Sequence, residues 1–210
     1  MRILLVGTGE VLASGLIARF RDHHELLCRD AGDARELVGC QTMIHLWTAQ
    51  TASMEDHARA AGIKRIIRVV GWEPAPDPEP GVCIIRLAPL IGPGDPQGTI
   101  RQWHQWVHQA NPDPQSHAPM VDHRDALGGI EGAMWKGKDG VIYPLVGPCP
   151  MVGELQRALS AALPLPGPGE HGPGQPITEA AQANTESARR DLGWWHRTLQ
   201  QSLNDTVAGL

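Results

Sequence analysis

Tyrosine and phenylalanine are nearly absent from this chain: of 210 residues one is Tyr143 and one is Phe20, against seven tryptophans. Chemistry that needs a tyrosine hydroxyl has a single residue to draw on. Cysteine is sparse too. Cys28, Cys40, Cys83 and Cys149 stand far apart without a CxxC pair, which speaks against a zinc ribbon or disulfide framework and for reduced thiols in a cytoplasmic protein. No apolar run approaches ~18 residues, the length that crosses a bilayer. There is no charge block and no internal repeat. With 18 basic against 23 acidic residues, a formal net charge of -5, the chain is not built to grip nucleic acid or an anionic membrane.

What is present is ordinary for a globular α/β protein: 41% apolar and 20% charged residues, enough to bury a core. Ile3–Val6 is a short apolar run ending at Gly7, Thr8 and Gly9, which reads as a strand and a glycine turn and not as a cleavable leader. Residues 11–21 follow with helical spacing. Further strands are expected at 25–29, 42–47, 64–70, 82–87 and 141–146. Helices are expected at 53–61 (capped by Ser53), 99–110, 125–135, 151–162, 179–192 and 199–207. Strands alternating with helices predict βαβ units on a parallel sheet. Residues 164–176, rich in proline and glycine, predict a loop. The expected organisation is a shortened, Rossmann-like, doubly wound sheet in which residues 1–92 form the core. Residues 93–210 supply the remaining strands, a cleft-covering helix and a small C-terminal helical lobe of the same domain.

Six segments, in order, resemble the extended short-chain dehydrogenase/reductase superfamily of the NAD-dependent epimerase/dehydratase type. They are MRILLVGTGEVLASGLIARF, LVGCQTMIHLW, AGIKRIIRVVG, IIRLAPLIGPGD, MVDHRDAL and SARRDLGWW. The resemblance implies a Rossmann-like fold. It also implies redox chemistry by a tyrosine acid/base, a lysine four residues later and an orienting Ser or Thr. This sequence departs from that pattern. Tyr143 falls in a late strand with no lysine four residues on. Val70 or Gly71 stands at the Ser/Thr position. The tyrosine-bearing helix would lie between the fourth and fifth strands, where only WEPAPDPEPG stands, and its four prolines forbid a regular helix.

The resemblance places the dinucleotide at Gly7, Gly9 and the turn after the first strand. Glu10 stands where a second glycine is expected and would repel a diphosphate. Trp47 replaces a small residue on the cofactor's path. These departures predict that no cofactor is needed. Arg29 and Asp30 end the second strand, where a ribose or 2′-phosphate is read, so Arg29 suits NADP if any dinucleotide binds. Both also fit a solvated strand end.

Glu73, Asp122 and His123 are the candidate acid/base residues. Asp125 is expected to cap the helix that follows. Trp47, Trp72, Pro89, Leu90, Trp103 and Trp106 are the candidate substrate contacts beyond the strand ends; the two indoles of the 99–110 helix serve equally well as core. His104 and His108 lie four apart, but Gln105 stands where a zinc protease has Glu, and no metal site is expected. Arg68, in mid-strand, needs either a carboxylate partner or an uncovered sheet face, and the missing helix favours the uncovered face. The reading that follows is a non-redox enzyme acting on an apolar small molecule by cyclisation, dehydration or isomerisation, with a polyketide-like metabolite as one substrate. Its alternatives are an NADP-dependent reductase with an atypical proton donor and an inert binding or partner protein. A homo-oligomer would need an interface other than the family's helix bundle.

Overall fold

The computed structural model describes residues 1–8, 11–30, 33–46, 53–72, 77–94, 97–110, 112–163 and 178–209. Six strands form one sheet: β1 (Arg2–Val6), β2 (Glu25–Cys28), β3 (Thr42–Leu46), β4 (Arg65–Val70), β5 (Val82–Leu87) and β8 (Ile142–Leu145). Their order is β2-β1-β3-β4-β5-β8, and β1 to β5 pair in parallel. Two further strands, β6 (Leu90–Ile91) and β7 (Val121–Asp122), pair in parallel by themselves. The helices are α1 (Val11–Phe20), α2 (Met54–Ala60), α3 (Thr99–Gln109), α4 (His123–Lys136), α5 (Val152–Ala162) and α6 (Leu199–Ala208). The Rossmann-like parallel sheet expected from the alternation of strands and helices is present. The central strands are largely apolar because both sheet faces are buried; His45 of β3 and Arg68 of β4 interrupt them.

The chain divides into two compact units. One comprises Met1–Arg86, Leu127–Pro144 and Glu186–Trp194; the other comprises Leu87–Ala126, Leu145–Thr185 and Trp195–Leu210. In the first, Leu4, Val6, Met43, Ile66, Val82 and Ile84 form a core with Met54 and Ala58 of α2. In the second, Trp103, Trp106 and Val107 of α3 pack with Val152, Leu155 and Leu159 of α5. Each buried Val, Leu, Ile or Met side chain among these stabilises its unit by roughly 1.5–3 kcal/mol relative to an exposed position.

Two local expectations need correction. The helix expected at 179–192 is split into a 3₁₀ turn at Thr178–Gln182 and a π turn at Ala188–Leu192. Asn184 and Thr185 stand between them, residue types that favour caps and turns over helix interiors. Arg68 does not mark an open face, since it has carboxylate partners on α2 and on the β4–β5 connection. That connection is the strongest peculiarity of the fold. A parallel pair ordinarily needs a crossover of about a dozen or more residues, usually a helix. Here residues 71–81 suffice, and no helix occurs among the described ones.

Candidate functional site

The turn after β1 is the first candidate. Gly7 has φ +88°, and a Cβ there would lie 2.4 Å from the carbonyl oxygen of Leu46 on β3. Only glycine lets the chain turn this close to the neighbouring strand. The Asp30 carboxylate, just past β2, accepts hydrogen bonds from the amides of Gly7 at 2.7 Å and Thr8 at 2.9 Å. Its other oxygen accepts from the Thr8 hydroxyl at 2.7 Å. The Thr8 hydroxyl and amide, with the Gly7 amide, hold this exposed carboxyl below the usual range. β1 is flanked by β2 on one side and β3 on the other, so the turn lies at the switch point where open α/β sheets bind ligands. Arg29 is turned elsewhere: Nη1 donates to its neighbour's Cys28 carbonyl at 2.8 Å, and Nε stands 4.0 Å from Glu36. Gly9, Glu10, Trp47 and Glu73 lie outside the described residues.

A buried charge cluster sits behind that edge. Arg68 of β4 donates from Nε to Glu55 of α2 at 2.7 Å, and Nη2 reaches the second Glu55 oxygen and, at 2.5 Å, Glu79. His45 Nδ1 of β3 stands 2.7 Å from Glu55 Oε1. Burial pushes the Glu55 carboxyl up, but the hydrogen bonds from Arg68 and His45 outweigh it and bring it to about 2. Arg59 joins Glu79 from α2. These contacts tie the β4–β5 connection to α2 where a helix would otherwise cover the sheet. Trp72 closes the same region. Its indole is buried under the Arg86 guanidinium, 4.0 Å from the ring centroid, and its carbonyl accepts from Arg86 Nε at 2.8 Å. Trp72 is thus a packing residue of the connection.

Tyr143 is excluded as the missing acid/base by where it lies. It is fully buried near the start of β8, accepts the Lys138 amide at 3.1 Å and donates to Asp191 at 3.3 Å. Burial raises its hydroxyl further from neutrality. In a parallel sheet this is the end away from the ligand crevice.

The second unit holds the remaining candidates. Asp122, not Asp125, caps α4: its Oδ1 accepts the Arg124 amide at 2.9 Å. Burial raises the Asp122 carboxyl, and the Arg124 side chain, bound at 2.9 and 2.6 Å, more than reverses that. Arg124 continues to Asp205 of α6 at 2.7 Å. Asp125, raised by its burial, accepts the Arg197 amide at 2.7 Å. His123 is half-buried, with Nδ1 3.3 Å from the Ile91 carbonyl oxygen. Leu90 is buried in β6, and the Pro89 carbonyl accepts the Val121 amide at 3.0 Å. Trp103 and Trp106 are spent on the α3–α5 core. His104 and His108 meet edge-on at 4.9 Å, and His108 Nε2 lies 3.2 Å from the Ser160 hydroxyl. Among the described residues no group of three His, Cys, Asp or Glu could hold a metal ion, and no helix is long and apolar enough to cross a membrane.

Asp30 and Glu55 are the residues that sequence reasoning undervalued. Asp30 reads equally well as a solvated strand end. Glu55 had one signal: an acid beside Met54 on the helix whose Met54 and Ala58 face the core.

No family model matches this sequence, and no curated protein matches it. Solved structures do. UDP-glucose 4-epimerase from Thermotoga maritima superposes with a TM-score of 0.70 at 14% identity, covering 100% of this chain and 98% of that one. dTDP-glucose 4,6-dehydratase from Bacillus anthracis, in complex with NAD, gives 0.69 at 13%, covering 100% and 96%. RMD from Pseudomonas aeruginosa, complexed with NADPH, gives 0.68 at 15%, covering 99% and 98%. The fold is that of the extended short-chain dehydrogenase/reductases. The expectation that no cofactor is needed is overturned by the same comparison. Solved structures sharing this fold hold NAD or NADPH, so a nucleotide is typical of it. Glu10 and Trp47, on which that expectation rests, lie outside the described residues; the turn after β1 is shaped by Gly7 and Asp30.

Proposed function

We propose that this chain is a small-molecule enzyme that holds NAD through its first unit and works without the family's tyrosine. The observation that carries the reading is the Asp30 carboxylate on the Gly7 and Thr8 amides. A carboxylate fixed at the end of β2 has an acceptor site left on the oxygen that takes only the Thr8 hydroxyl, enough for one ribose hydroxyl, and it repels a 2′-phosphate. Gly7 packs the turn directly against Leu46 of β3, which fixes the position of the amides that Asp30 holds. Arg29 contacts the Cys28 carbonyl and stands 4.0 Å from Glu36, contacts a 2′-phosphate would have to displace, so NAD is favoured over the NADP that Arg29 would suit. When bound, the nicotinamide supplies a hydride acceptor or donor. The chain's own part is to orient the ribose through Asp30 and to hold the turn rigid through Gly7.

Tyr143 is fixed in its network with Lys138 and Asp191, so a substrate proton must move by another group. This supports isomerisation or dehydration, the reaction types of the epimerases and dehydratases that share the fold, over tyrosine-assisted reduction. The reading does not extend to an apolar or polyketide-like substrate, because the α3 indoles that would grip one are packed in a core.

Calorimetric titration of the purified chain with NAD⁺ and NADP⁺ tests it. NAD⁺ is expected to bind at least about tenfold more tightly, near 1.4 kcal/mol. Asp30→Ala should erase that preference. Equal affinity for both in the unaltered protein, or no binding of either, would overturn the reading.

A further inference from the structure

The MVDHRDAL segment contains a histidine that the nucleotide reading does not use. His123 follows the C-terminal end of β7, and Gly92 follows the end of its parallel partner β6, with Ile91 in register with Asp122. The ring is held from two sides. Its Nδ1 lies 3.3 Å from the Ile91 carbonyl oxygen. Its edge fills the space left by the missing side chain of Gly92, where a Cβ would come within 2.3 Å of Nδ1 and 2.8 Å of Cε1. Gly92 has φ +137°, a conformation that also favours glycine. A carbonyl only accepts hydrogen bonds, so Nδ1 is the nitrogen that carries the hydrogen. In the neutral ring Nε2 then carries the lone pair. That is the tautomer free histidine disfavours, so the local structure selects it.

The neighbouring charges leave this lone pair uncommitted. The Asp122 carboxylate caps α4 and is neutralised by Arg124, Arg124 continues to Asp205, and Asp125 is taken by Arg197. His123 is half-buried, and its Nε2 has no hydrogen-bond partner among the described residues.

We propose that His123 is a general base whose Nε2 takes a proton from a small molecule bearing a hydroxyl or a C–H next to a carbonyl. The proton passes to Nε2 while the electron pair stays on the substrate oxygen or carbon. Nδ1–H keeps its bond to Ile91. From the C–H next to a carbonyl, return of the proton from Nε2 to the other face of the same carbon or to another atom of the resulting enolate completes an isomerisation, with no oxidant or second reactant; from a hydroxyl the step only activates the oxygen. Gly92 is a positioning residue, because any side chain there displaces the ring. The proposal stands apart from nucleotide binding and survives or fails without it.

Two measurements on the full-length protein decide it. Long-range proton–nitrogen correlation spectra, assigned with His123→Gln, read the tautomer of the neutral ring directly in the unaltered protein. Nδ1–H is expected, with loss of that pattern in Gly92→Ala; Nε2–H in the unaltered protein overturns the assignment. Nitrobenzisoxazole then probes the base. Its ring opens when a base removes its C–H proton and the N–O bond breaks, giving the cyanophenolate within the same molecule. The unaltered protein is expected to accelerate this opening and His123→Gln to lose the acceleration, while His23→Gln, an exposed histidine on the other unit, retains it. Equal rates in the unaltered protein and His123→Gln overturn the proposal.

Discussion

At the scale of single residues, Arg68 carries the clearest energetic consequence. Removing one member of a buried, hydrogen-bonded charge pair typically costs ~3–5 kcal/mol, because the other charge is left uncompensated. Arg68 keeps Glu79 if Glu55 is lost, so Glu55→Gln is expected at the lower end, about 3 kcal/mol. Combining it with Arg68→Met should cost less than the two single changes added together, which a denaturation double-mutant cycle reads. The pH dependence has a definite sign. Glu55 is held at about 2 against an ordinary 4.5, so its contribution is complete above the ordinary value and disappears as pH falls from there through about 2. Loss of thermal stability between these limits should be markedly shallower in Glu55→Gln than in the unaltered protein. Arg68 was legible in the sequence as an anomaly in an apolar strand, but its partner was not. Glu55 lies on a different element, and only the register of α2 against β4 brings the two together.

Among the elements, α4 shows how a start signal is misread. Asp122 and Asp125 are both plausible caps from sequence, and a shift of three residues exchanges their roles. Asp122 is the cap because β7 holds it in place and its carboxylate meets the Arg124 amide. Asp122→Ala should destabilise by about 2 kcal/mol or more, combining a lost cap with a weakened Arg124 pair. Asp122→Asn retains the cap oxygen and should recover about half of that, measured by chemical denaturation. The six strands of the main sheet were legible to within a residue or so because parallel strands buried on both faces leave largely apolar runs, whereas the two-residue β6 and β7 are too short to leave such a signal. The helix expected at 179–192 was not, since its apolar residues have helical spacing but Asn184 and Thr185 interrupt the backbone pattern between two short turns. The candidate site was legible in part. The Gly7 turn follows from its motif. The tautomer of His123 depends on a carbonyl from a strand 32 residues away.

Across the whole molecule, the chain contributes three separate segments to each unit. The last of them matter out of proportion to their length. Residues 186–194 bring Asp191 to Tyr143 and Lys138, and residues 195–210 bring Arg197 to Asp125 and Asp205 to Arg124. A chain ending at residue 185 strips a buried tyrosine of one unit and two carboxylate–arginine systems of the other. It is expected to lose near-ultraviolet tryptophan ellipticity and to unfold without a cooperative transition. Retention of a sharp transition would show that both units close without these segments.

The connection of residues 71–81 has a consequence for the order in which the sheet assembles. Parallel pairing usually joins strands far apart along the chain, and closing that long loop costs entropy before any contact repays it. Between β4 and β5 the tether is about as short as a parallel pair allows, and Arg68 draws its far end back through Glu79. This pair is the cheapest of the sheet to nucleate. The strand pairing that lost its helix is thereby the one placed to form first, with β3 and β1 added outward from it.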